Sequence, residues 1–158
     1  MTGSVLTQSE LQTKLVAKRL AECLKKGIIA LDGDLGAGKT VFAKGFAQGL
    51  GITEEIVSPT FTLVREYQGR VKFNHFDVYR IEDPEEMFEI GWEEYLEEEA
   101  VTLIEWATLI GEILPPDILS IEITRLSNTQ RKIQFSTENS QYEKAVTAAI
   151  DALIGEKL

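Results

Sequence analysis

The 158 residues carry a net charge of −10, 44% apolar side chains and one cysteine, Cys23. This composition supports a single packed domain over 1–158 and excludes an internal disulfide framework or a paired-cysteine metal site. It also argues against strong nucleic-acid binding by the chain alone, because the lysines and arginines are scattered rather than gathered on a basic face.

No apolar run approaches the ~20 residues that span a membrane. Met1 to Gln8 lacks the basic-then-apolar pattern of a signal peptide, so cytoplasmic residence is the expectation. Leu11, Leu15, Leu20 and Leu24, with Cys23, recur at helical spacing, and Ser9 is placed to cap that helix, which should end near Gly27. Ile28 to Leu31 reads as a short buried strand. A glycine-rich loop follows. Val41, Phe42, Ala43, Phe46, Ala47 and Leu50 then form the apolar side of a second helix.

Residues 58 to 80 are rich in β-branched and aromatic side chains on both sides of Gln68-Gly69, which predicts a β-hairpin. Asp83-Pro84 predicts a helix cap with proline in the first turn, opening one or two short helices through Leu96. Ten of the eighteen residues from Glu82 to Glu99 are acidic and none is basic, which reads as a solvated face or as a docking face for a basic protein surface. Val101 to Ile104 is another buried strand. Pro115-Pro116 forces a loop, Ile118 to Thr124 and Lys132 to Phe135 read as late strands, and Gln141 to Leu153 reads as a closing amphipathic helix. The expected class is α/β: a mixed, mostly parallel sheet flanked by helices, with the hairpin after the second helix.

Residues 33 to 40, GDLGAGKT, fit G-x-x-x-x-G-K-[ST], the phosphate-binding loop. Backbone N–H groups must turn inward around phosphate oxygens, which favours residues without bulky Cβ atoms, and the following helix presents its N-terminus to the anion. Asp34, Leu35, Gly36, Ala37, Gly38, Lys39, Thr40 and Val41 are therefore the expected nucleotide contacts. Lys39 would neutralise the β- and γ-phosphates, and the Thr40 hydroxyl would ligate Mg²⁺.

Glu105 closes an apolar strand, the position of a magnesium-holding carboxylate. Asp77 closes Phe73-Asn74-His75-Phe76 and competes for that role or for orienting the attacking water. Within Ser58-Pro59-Thr60-Phe61-Thr62, Thr60 is the first choice to sense the γ-phosphate, with Ser58 and Thr62 behind it. His75 is the only histidine, so it reads as structural. Trp106 follows Glu105 directly, and strand alternation places it on the opposite face. Arg80 and Arg131 could reach phosphate or base. No guanine-reading NKxD element is present, which favours ATP over GTP, and no arginine-rich lid of the small-molecule kinases is evident.

GDLGAGKT, SPTFTLVREY, HFDVYR and IEW occur in the order and approximate spacing of the bacterial TsaE (YjeE) family, which this chain resembles over roughly residues 5 to 135. The family's HxDxYR falls on His75, Asp77, Tyr79 and Arg80, and its magnesium glutamate and tryptophan fall on Glu105 and Trp106. The resemblance implies a slow Mg²⁺-dependent ATPase required for threonylcarbamoyladenosine biosynthesis on tRNA. It further implies that the ATPase docks on the TsaB–TsaD complex, which modifies adenosine 37 of tRNAs reading ANN codons, and that it touches tRNA only indirectly. A nucleotide-gated adaptor that needs no hydrolysis and a small kinase remain the alternatives, and self-association is left open.

Overall fold

The computed structural model describes residues 1–155. One seven-stranded sheet runs through it. The strands are β1 (Thr2–Thr7), β2 (Gly27–Asp32), β3 (Val64–Gln68), β4 (Lys72–Asp77), β5 (Ala100–Glu105), β6 (Leu119–Arg125) and β7 (Arg131–Ser136), in the order β1-β7-β6-β2-β5-β4-β3. The four central strands, β6, β2, β5 and β4, are mutually parallel. The outer pairings, β6–β7, β7–β1 and β4–β3, are antiparallel.

Helices cover both faces, as a parallel sheet requires. On one side lie α1 (Glu10–Glu22), α2 (Lys39–Gly49) and α4 (Glu143–Ile150), which share a core with Ile29, Leu31, Phe73 and Leu103 of the sheet. On the other side, a 3₁₀ segment (Pro84–Ile90), α3 (Trp92–Glu97) and a second 3₁₀ segment (Ala107–Ile113) bury Met87, Trp92 and Ile110 against Phe76 and Ile104.

The caps are where the sequence puts them. Ser9 accepts a hydrogen bond from Gln12 N, and Asp83 accepts one from Glu85 N with Pro84 opening the segment. The buried stripe of α1 differs: it is Thr13, Val16, Ala17, Leu20 and Ala21, while Leu11 is 58% exposed. The small residues face inward because α1 lies against α2 almost backbone to backbone. A Cβ on Gly45 of α2 would sit 2.4 Å from the Lys14 carbonyl oxygen of α1.

The hairpin is shorter than residues 58 to 80 imply. Pro59 cannot donate to a ladder, the backbone turns through Leu63 at φ 71, and pairing starts only at Val64 with Phe76. The turn itself spans 69–71, between the paired Gln68 and Lys72. β1 was not anticipated. It pairs along its whole length with β7, yet only Thr7 in it is buried.

Arg70, in the hairpin turn, ties the sheet to both helices. Its guanidinium donates to the carbonyls of Leu24 (2.7 Å) and Ala21 (2.6 Å) at the end of α1, and to Gly49 (3.3 Å) at the end of α2. The Ala21 carbonyl also accepts from Leu24 N at 3.0 Å, and a cation suits the negative end of each helix dipole. Arg70→Ala is expected to lower the unfolding free energy by about 1–2 kcal/mol, read from the urea midpoint. Arg70→Lys should recover only part of that, because one ammonium cannot span the carbonyls of both helices. An unchanged midpoint for the alanine variant would remove this bridge from the account of stability.

Candidate nucleotide site

Parallel pairing aligns Leu31 of β2 with Glu105 of β5, and Glu105 with Asp77 of β4. The carboxyl ends of the central strands therefore finish at one level, where ligands of open α/β sheets bind. The loop 33–38 leaves β2 at this edge and feeds directly into α2. Gly38 adopts φ 107 at the N-cap, a left-handed conformation that costs a residue with a Cβ. The result is a cavity of about 680 Å³ at the end of the sheet, within the range of small-ligand pockets.

Leu35, Gly36, Gly38, Lys39, Thr40 and Val41 line this cavity, together with Thr60, Asp77, Glu105 and Arg131. Ala37 is buried and Asp34 borders a neighbouring depression, so these two enter the loop through their backbones. Ser58 reaches the cavity. Thr62 instead donates to the Pro59 carbonyl at 3.5 Å.

Lys39 is folded onto its own loop. Its ammonium donates to the Gly33 carbonyl and, at 3.0 Å, to the Asp34 carbonyl. Burial pulls its pKa below the ordinary lysine value, against Glu105 and Asp77, which pull it back up.

Its Nζ also sits 4.1 Å from the centroid of the Trp106 ring. This corrects the expectation that Trp106 occupies the opposite face. Alternation holds only inside a strand, and β5 ends at Glu105. Trp106 takes φ 63, and its ring comes round to Lys39 and to Tyr79, whose centroid is 4.9 Å away.

The two carboxylates are held differently. Asp77 is committed at both oxygens: Oδ2 accepts from Thr60 Oγ1 at 2.8 Å and Oδ1 from Tyr79 N at 3.0 Å. Ser58 Oγ lies 2.8 Å from Thr60 Oγ1 and extends this chain of hydroxyls. Glu105 uses one oxygen, Oε2, which lies 2.6 Å from His75 Nε2. His75 is 2% exposed and stacks on Phe73, with ring centroids 5.7 Å apart. His75, which reads as structural when taken alone and falls in the HxDxYR motif by resemblance, thus orients a site carboxylate. The period-2 spacing of His75 and Asp77 on one strand was the available signal.

Arg131 is a brace. It donates to the carbonyls of Ala37 (2.8 Å), Gly36 (3.4 Å), Ser127 (2.8 Å) and Gln130 (3.0 Å), fastening the β6–β7 turn to the glycine loop.

Among the described residues no group of three His, Cys, Asp or Glu side chains converges to hold a metal by itself. The donors present are two carboxylates and the hydroxyls of Thr40 and Thr60. Hard oxygens of this kind, too few to form a full protein cage, fit Mg²⁺ completed by phosphate oxygens and water. They do not fit a zinc centre, which takes at least three His, Cys, Asp or Glu ligands from the chain.

The family described as "Threonylcarbamoyl adenosine biosynthesis protein TsaE" matches residues 7–133. The tRNA threonylcarbamoyladenosine biosynthesis protein TsaE of Bacillus subtilis is 48% identical over 134 residues, covering 84% of this chain and 84% of that protein. Its counterpart in Treponema pallidum is 43% identical over 118 residues, covering 75% and 86%. The crystal structure of Bacillus subtilis YdiB matches with a TM-score of 0.81 at 38% identity, covering 94% of each chain. With its P-loop NTPase fold, this chain belongs to the TsaE family of threonylcarbamoyl adenosine biosynthesis proteins.

Proposed function

We propose that this chain binds Mg-ATP and hydrolyses it slowly, as the ATPase subunit for threonylcarbamoylation of tRNA adenosine 37. The observation that carries this reading is the convergence of Lys39, Thr40, Asp77 and Glu105 on one cavity at the sheet's carboxyl edge. Backbone N–H groups of 34–40 and the α2 N-terminus supply the positive field for the phosphates. Lys39 exchanges its two loop carbonyls for the β- and γ-phosphate oxygens. Thr40 and Glu105 are the residues that would hold Mg²⁺. Glu105 is preferred over Asp77 because one of its oxygens makes no protein hydrogen bond, whereas both Asp77 oxygens do. When bound, Mg²⁺ would neutralise charge on the phosphate oxygens. Asp77 fixes the Thr60 hydroxyl on the cavity wall, and these two are the proposed sensor of the γ-phosphate and acceptor for the attacking water.

The energy of ATP is best used on a partner. Of the three basic residues that line the cavity, Lys39 and Arg131 are turned onto backbone carbonyls, which leaves Arg80 alone to hold a second, phosphate-accepting substrate and disfavours a kinase. A nucleotide-driven switch that acts on a partner is the reading proposed instead. The TsaB–TsaD complex is the proposed partner, with tRNA engaged through that complex. The net charge of −10 agrees with a subunit that does not itself grip tRNA.

Lys39→Ala is expected to reduce phosphate release from ATP by at least about 100-fold, the loss of roughly 3 kcal/mol of phosphate stabilisation. Normal turnover by this variant would sink the site assignment. Glu105→Gln keeps a hydrogen-bonding group beside His75 but removes the charge. Its half-saturating Mg²⁺ concentration should rise about tenfold while ATP still binds. If such a variant supports tRNA modification in full without hydrolysing ATP, the adaptor reading replaces the enzyme reading.

A further inference from the structure

Two arginines line the cavity, and they are in opposite states. Arg131 spends its guanidinium on four backbone carbonyls. Arg80 makes no hydrogen bond or ion pair among the described residues. Its guanidinium carbon rests 4.5 Å from the centroid of the Phe61 ring. Phe61 is itself 85% exposed, so the ring is held by little else.

One carboxylate sets both halves of this pair. Asp77 Oδ2 binds Thr60, the neighbour of Phe61, and Asp77 Oδ1 binds Tyr79 N, the neighbour of Arg80. The turn that carries the ring and the strand exit that carries the guanidinium are thereby locked in register across the rim of the cavity. A cation over a ring at an exposed site is weakly held and exchanges readily.

We propose that Arg80 is a catalytic arginine and that Phe61 parks it away from the reacting phosphate. This rests on the ATP-hydrolase reading. In hydrolysis a water oxygen bonds to the γ-phosphorus, and the bond from that phosphorus to the β–γ bridging oxygen breaks. ADP and inorganic phosphate leave, and the water proton ends on the phosphate product. Negative charge shifts onto the bridging and γ-oxygens, and a planar guanidinium is the side chain that matches them with paired N–H donors. Only the unparked fraction of molecules has this donor in place, so turnover by the isolated chain is slow.

The test is a double-mutant cycle on the full chain under single-turnover conditions, paired with affinities for ADP and for ADP–aluminium fluoride, a mimic of the reacting phosphate. Arg80→Ala should lower kcat at least about tenfold and weaken ADP–aluminium fluoride by a matching factor, with ADP affinity changed less than about twofold. Phe61→Ala should raise kcat about two- to fivefold, the worth of an exposed cation–π contact, and should have no effect once Arg80 is alanine. Arg80→Lys should recover part of the loss. The proposal is overturned if Arg80→Ala leaves kcat and analogue affinity unchanged, if it weakens ADP and the analogue equally, or if Phe61→Ala acts the same with and without Arg80. Wild-type protein that binds ATP but releases no phosphate overturns the hydrolase reading instead, and the Arg80 dependence of analogue affinity still decides this one.

Discussion

The parallel register of β2, β5 and β4 is the constraint on which the site depends. Pairing of Leu31 with Glu105 and of Glu105 with Asp77 puts the start of the glycine loop and two carboxylates on one edge of the sheet. A slip of one residue would send both acidic side chains to the opposite face. The register is held by burial on both faces: Leu103, Phe73 and Ile29 pack toward α1 and α2, while Ile104 and Phe76 pack toward Trp92 and Met87. Core packing and site geometry are therefore one problem here, and the apolar residues of β4 and β5 serve both.

Around that edge, polar groups fix one another in short chains. His75 orients Glu105, and Asp77 orients Thr60 and the backbone at Tyr79. Arg131 staples the β6–β7 turn to the loop, while Arg70, far from the cavity, closes the ends of α1 and α2. All of these links but the one from Asp77 to Tyr79 join residues at least 17 positions apart. The loop is thus braced at its outer side by the β6–β7 turn and at its inner side by the helix that continues it, and α2 in turn is anchored at its far end.

What the sequence made legible was whatever is encoded locally. Residues 33 to 40 carry their loop conformation in their own spacing, Ser9 and Asp83-Pro84 mark their own helix starts, and Glu105 and Asp77 each close an apolar run. Long-range pairing was not legible. β1 has only Val5 and Leu6 as aliphatic residues, and its strand character comes from β7, more than a hundred positions away. The link between His75 and Glu105 crosses thirty residues, and nothing in either segment announces it. Trp106 was misplaced because alternation was carried one residue past the end of its strand, into a left-handed turn. Of the α1 stripe read from its leucines, Leu20 and Leu24 are buried and Leu15 packs against the core, but Leu11 is exposed, and Ala17 and Ala21 join the packed face because contact with Gly45 of α2 rewards small residues.

The self-held lysine has a thermodynamic consequence. With Nζ bonded to the Gly33 and Asp34 carbonyls and lying over Trp106, the loop compensates the charge of its own lysine. Any phosphate that enters must displace those contacts, so its affinity is a difference between two sets of bonds and not the sum of one. A small anion that offers a single oxygen gains little from the exchange. A polyphosphate that engages the lysine, the loop amides and the helix terminus together gains on every contact but the first. If the loop holds the nucleotide proposed above, this exchange would favour a polyphosphate over a single free phosphate before any part of a nucleoside is recognised.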